Sequence, residues 1–121
     1  MKYMCLVYLD EETFAPMSEA EKGRLVNEAL DSDEVLRAGG HFVDANALEL
    51  PETAISVRVR DGRLSATDGP FAETKEHLSG YILIEARDLN EAVRVAGTIP
   101  MAAYGTIEVR PVRILERFVE G

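Results

Sequence analysis

The nine residues Asp68 to Glu76 hold three carboxylates (Asp68, Glu73 and Glu76), one ammonium group (Lys75) and the turn-forming pair Gly69-Pro70. Lysine set among acids is a proton-transfer combination: the ammonium holds an anionic oxygen while a carboxylate removes the neighbouring proton. Glu73 and Lys75 are two apart, so in an extended loop they project to the same side. On an open surface the same pair is an ion pair contributing only ~0.5 kcal/mol and carrying no function. Asp68 also has two readings. Its carboxylate caps the turn while Gly69 takes a backbone conformation that other residues resist, or it serves as a general base at the mouth of a cavity. Glu76 and His77 read as solvated loop residues.

Other candidates lie outside this loop. Tyr81 follows it directly, and a phenol at a cavity edge orients a ligand. Tyr8 and Tyr104 read as core or interface aromatics. Arg110 either supplies positive charge to a cavity or makes an edge salt bridge, and His41 completes the set of ligand-binding candidates. His41 and His77, with scattered acids, have no metal-ligand spacing, so no metal is expected. Nor does the chain contain a nucleophile elbow or a phosphate loop, and no cofactor is expected. Cys5 is the one cysteine. It has no neighbouring base to lower its pKa, and it reads as a buried, inert thiol.

The elements that must position these groups follow from periodicity. Between Lys2 and Leu9 apolar residues fall on both faces of a strand, Tyr3, Cys5, Val7 and Leu9 against Met4, Leu6 and Tyr8. Ser18 and Glu21 have capping-box spacing, and a stripe of Leu25, Val26, Ala29, Leu30 and Leu36 predicts a helix over Glu19 to Ala38, ended by Gly39-Gly40. Phe42 to Leu50 is a weaker extended segment that Pro51 breaks. Ile55, Val57 and Val59 alternate with polar residues, and Asp61-Gly62 turns that strand into Leu64 to Thr67 as a hairpin. Tyr81 to Ala86 is a second strand apolar on both faces. Asp88 and Glu91 repeat the cap signal before a helix that Pro100 stops, and Thr106 to Leu115 supplies a last strand, with Pro111 marking an edge.

This order predicts a single α+β domain over residues 1–121, of ferredoxin-like type, with an antiparallel sheet and two helices on one face. A length of 121 residues with 46% apolar and 29% charged residues fits one soluble domain. No apolar run is long enough to span a bilayer and no targeting segment is visible, so a cytoplasmic location is expected and no membrane partner. A formal net charge of −9 speaks against binding a phosphate backbone, so nucleic acid is not an expected partner. Acids concentrate between Asp10 and Glu34, which reads as a solvated helix face.

Burial adds one expectation about assembly. Two central strands are apolar on both sides, whereas the helices cover only one face of the sheet. The uncovered side leaves Tyr, Leu, Val or Ile side chains in water unless a second copy packs on it, so a homodimer with sheet facing sheet is expected.

The motif from Asp68 to Glu76, with Met1-Lys2-Tyr3-Met4 at the start and Glu108-Val109-Arg110-Pro111-Val112 near the end, resembles the DGPF branch of the YCII-related family. The resemblance runs over nearly the whole chain. It implies a dimeric α+β barrel of ferredoxin-like subunits. It also implies a small bacterial protein of the kind often encoded near sigma factors of the extracytoplasmic-function type. The wider family is thought to act through a His and Asp pair in its cleft, with the His on the first helix. Here no His occurs between Ser18 and Gly39, so that pair is not carried over. Two functions remain. One is a cofactor-independent enzyme of small-molecule metabolism, transferring a proton or isomerising its substrate in a dimer cavity edged by Asp68, Glu73, Lys75 and Tyr81. The other is a noncatalytic module that binds a metabolite or a sigma factor.

Overall fold

Each helix begins where a side chain satisfies its free N–H groups. Asp10 caps a single turn, α1 (Glu11–Phe14), by accepting from the Glu12 amide at 3.0 Å. Ser18 caps α2 (Glu19–Ala38): its hydroxyl accepts from the Glu21 amide at 3.1 Å and donates to the Glu21 carboxylate at 3.2 Å. Asp88 caps α3 (Leu89–Ala96) through the Glu91 amide at 2.9 Å, and the Glu91 carboxylate accepts from the Arg87 amide at 3.0 Å. At the far end of α2 the His41 amide donates back to the Leu36 carbonyl at 2.8 Å, closing the helix as Gly39-Gly40 predicts.

The computed structural model describes all 121 residues. Four strands form one sheet in the order β2-β5-β1-β6, comprising β1 (Lys2–Leu9), β2 (Phe42–Ala47), β5 (His77–Glu85) and β6 (Thr106–Pro111). All of its pairings are antiparallel. With α2 and α3 as crossovers, this is the strand-helix-strand-strand-helix-strand plan of a ferredoxin-like α+β fold. The two strands with apolar residues on both faces, β1 and β5, lie in the middle as expected, and β6 with Pro111 is an edge.

One face of the sheet meets the helices. Tyr3, Cys5 and Ile84 point there and pack with Leu36 of α2 and with Ala92, Val95, Ala96 and Ile99 of and after α3. The core is weighted toward α3. Leu36 is the one fully buried residue of α2, and Val26 and Leu30, which the stripe would bury, are 58% and 59% exposed. The long helix is therefore seated on the sheet at its C-terminal end and stands off it along the rest.

Between β2 and β5 a second, two-stranded sheet projects from the domain: β3 (Ile55–Arg60) and β4 (Arg63–Asp68). Asp61 and Gly62 join them with φ of 52° and 73°. Positive values at both positions are what a two-residue hairpin turn requires. Nearly every residue of this hairpin is exposed. No helix of the chain is long and apolar enough to cross a membrane.

Candidate functional site

Where α2 stands off the sheet it leaves a cavity of about 600 Å³. Small residues make the room: Ala29 on the helix and Ala45, Ala47 and Gly80 on the strands line it, where larger side chains would close the gap. Gly80 is required for a further reason, because a Cβ there would stand 2.9 Å from the Asn46 carbonyl oxygen. Most of the lining is apolar, and a volume of this size suits a small organic molecule.

A few polar groups interrupt the apolar wall. Asp33 is the most informative. Burial pushes its carboxyl above the ordinary aspartate range and adjacent Glu34 adds to the rise, while the Arg37 guanidinium one turn on opposes it. Arg37 is itself engaged with Glu34 and lies over the Phe42 ring at 4.3 Å from its centroid. Lys22 borders the cavity eleven residues earlier on the same helix, about 16 Å away along its axis. Its ammonium lies 3.6 Å from Glu19. Ser32, Asn46, Ser79 and Tyr81 complete the polar lining, with Ser79 donating to the His77 carbonyl at 2.9 Å. A half-buried carboxyl held toward its neutral form beside an apolar chamber is suited to exchange a proton with a bound molecule.

The residues singled out in the sequence fall in three places. Tyr81 reaches the cavity, but its ring belongs to the opposite face of the sheet, where its hydroxyl donates to Asp44 at 2.9 Å and accepts from the Asn46 amide at 2.9 Å. Asp68, Glu73 and Lys75 are exposed and do not line the cavity. Asp68 ends β4, and Gly69 after it has a φ of +92° and donates to the Ala54 carbonyl at 2.7 Å. The turn-forming reading of that pair thus has direct geometry behind it. Lys75 has no carboxylate within ion-pair distance. Glu76 is tied down, accepting from the Thr106 hydroxyl at 2.9 and 3.1 Å.

His41 is half-buried just beyond α2, with Nδ1 2.8 Å from the Glu85 carbonyl, an anchoring bond between the helix end and β5. Arg110 is exposed on β6. The chain contains no group of three or more His, Cys, Asp or Glu residues disposed to hold a metal. Cys5 is fully buried, and desolvation pushes its thiol up to about 11.

Asp33 was hidden among the acids read together as a solvated face. Its position gives it away, since it lies four residues after Ala29 and three before Leu36. That spacing puts a charge inside the apolar stripe.

Residues 1–116 match the family model described as the YCII-related domain. The chain belongs to the YCII-related family. An uncharacterized protein of Rhizobium meliloti is 32% identical over 116 residues, which is 94% of each chain. The kinship thus covers the whole sheet, both long helices and the projecting hairpin.

Proposed function

We propose that this YCII-related protein binds a small, mostly apolar molecule between α2 and the sheet and acts on it by cofactor-independent proton transfer, with Asp33 as the acid or base. The supporting observation is the Asp33 carboxyl, raised by burial at the wall of a 600 Å³ chamber. Carboxyl groups raised by burial in clefts are the ones suited to take up a proton and return it. Lys22, at the other end of the chamber, is placed to receive an anionic group of the same molecule. The motif spanning Asp68 to Glu76 supports assignment to the DGPF branch. A role for Asp68, Glu73 and Lys75 in the chemistry requires a second subunit to bring them to a cavity, since within one chain all three face solvent.

Binding of small aromatic and branched aliphatic fragments, followed by amide shifts in NMR spectra, tests this reading. Fragments should move the signals of Ala29, Ala45 and Ile82. The Asp33 side-chain carbon should titrate above the ordinary aspartate range and shift further when a fragment is bound. Asp33→Asn should retain the fold and lose the pH dependence of binding. Fragment shifts confined to the hairpin or the tail, or an Asp33 that titrates normally, would refute the assignment.

A further inference from the structure

The projecting hairpin has two unlike faces. Its register sets Val57 opposite Ala66 and Val59 opposite Leu64, with Ile55 beyond them, so these apolar side chains share one face. Ile55, Val57, Val59 and Leu64 are each more than half exposed. Arg58, Arg60 and Arg63 share the other face with Ser56, Ser65 and Thr67. Arg60 stands directly opposite Arg63, and like charges in that relation destabilise a strand pair. None of the three arginines has a carboxylate within ion-pair distance, although the chain holds 22 acidic residues against 13 lysines and arginines.

The outer edge of β3 is equally unpartnered. A two-residue turn makes Arg60 and Arg63 a hydrogen-bonded pair, and such pairs recur at every second residue. Ser56 and Arg58 therefore bond across to β4, while the N–H and C=O groups of Ile55, Val57 and Val59 point outward. Apart from the Val59 carbonyl, which accepts from the Arg60 guanidinium at 3.0 Å, these groups have no partner in the chain. Exposed edges are ordinarily blunted by proline, lysine or a bulge. β3 has none of these, and its register is unbroken. Its one guard is the pair Arg58 and Arg60, which repels a basic strand and attracts an acidic one.

We infer that the free edge of β3 docks an extended segment of an acidic partner protein, added to the hairpin as a third strand. An added strand is the one occupant that meets both faces at once, because its side chains alternate between them. Its residues opposite Ile55, Val57 and Val59 are apolar, and those opposite Arg58 and Arg60 are carboxylates with the same two-residue repeat of roughly 6.7 Å. The edge of β4 fits less well, since Asp68 interrupts its apolar side and Arg63 is its one basic residue. A second β3 would add arginines to a face that already lacks acids. The tail after β6 has the wrong alternation, because an extended chain puts Glu116 on the side of Ile114 and Phe118. No hairpin residue lines the cavity beside Asp33, so the inference stands apart from the acid–base reading.

Peptide titrations on the full chain test this. The probe is an end-blocked fluorescent peptide alternating valine and glutamate, followed by anisotropy, and its counterpart has lysine in place of glutamate. The glutamate peptide should bind at least about tenfold tighter than the lysine peptide, and R58E/R60E should reverse that preference. Neither arginine holds a carboxylate of its own chain, so the circular dichroism spectrum should not change. Should the reversal disturb folding, R58A/R60A carries the test by losing the preference. In NMR spectra the glutamate peptide should slow amide exchange at Val57 and Val59, and N-methylation of alternate peptide amides should abolish binding. Failure of the glutamate peptide to bind, equal binding of both peptides, an unaltered preference in the variants, or protection at Leu64 and Ala66 instead would each overturn the inference. So would protection of Val57 that rises with protein concentration in the absence of peptide, which assigns the edge to a second copy. Binding of phosphatidylglycerol vesicles that the peptide does not displace would overturn it as well, assigning the hairpin to a lipid surface.

Discussion

Two glycines that meet backbone at different distances yield a graded prediction for stability. A Cβ at position 105 would stand 2.2 Å from the Tyr8 carbonyl oxygen and 2.7 Å from Leu9 Cδ2, whereas ordinary contact begins at 3.4 Å. At position 80 the nearest atoms are the Asn46 carbonyl oxygen at 2.9 Å and Ala47 Cα at 3.3 Å. What must yield also differs. Tyr8 lies on β1, held between β5 and β6, while Asn46 lies on the edge strand β2, which can move outward. Overpacking ordinarily costs ~1–3 kcal/mol and occasionally more, so Gly80→Ala should cost about 1 kcal/mol and Gly105→Ala about 3 kcal/mol or more. For a chain of this length 1 kcal/mol corresponds to roughly 4 °C in Tm. Thermal unfolding followed by circular dichroism should therefore place Gly80→Ala roughly 4 °C below wild type and Gly105→Ala at least three times as far below it. Equal losses, or a larger loss at position 80, would show that the approach of Gly105 to the central strand is not rigid and would refute the reasoning.

Three further outcomes follow from burial. Cys5 should resist alkylation in the folded protein at mildly alkaline pH and react in urea; because its pKa is raised from 9.0 to about 11, the unfolded chain ionises first and stability should fall as pH climbs through that window. Prompt labelling of folded protein would contradict its burial. Raising the Asp33 carboxyl has the same sign at lower pH: the protonated form favours folding, and its stabilisation is lost as pH rises from the ordinary aspartate range through the raised value. Asp33→Asn should thus gain stability relative to wild type between acid and neutral pH, measured by urea midpoints, and a constant difference would count against the shift. Ile84→Ala removes a side chain with 0% exposure from a central strand and should cost about 4 kcal/mol in urea unfolding, while a loss below about 1 kcal/mol would mean the core collapses onto the gap.

Much of the architecture was legible because local signals agreed with one another. Ser18 with Glu21 and Asp88 with Glu91 mark helix starts where the caps are found, and Asp61-Gly62 marks the hairpin turn. The two-faced patterns of Lys2 to Leu9 and Tyr81 to Ala86 identify the central strands, since only a strand with neighbours on both sides tolerates such composition. The single turn Glu11–Phe14 leaves no periodic signal: at four residues it is too short for any period to register. The stand-off of α2 leaves none either, because a stripe of apolar residues states which side of a helix faces inward but not how closely it approaches. Asp33 shared that fate for the same reason. The motif Asp68 to Glu76 is dense in charge, yet density in sequence does not bring side chains together, and Lys75 stands apart from any acid.

The base of the projecting hairpin is pinched, with the Gly69 amide on the Ala54 carbonyl at 2.7 Å and the Ser56 hydroxyl on the Gly69 carbonyl at 2.8 Å. Chain entering and leaving the protrusion thus passes through adjacent points, and the rest of the molecule does not depend on what lies between them. This is the layout of an interchangeable cassette: residues 55–68 could be excised and bridged by a short linker, or replaced by a foreign peptide, with the remaining strands and helices intact.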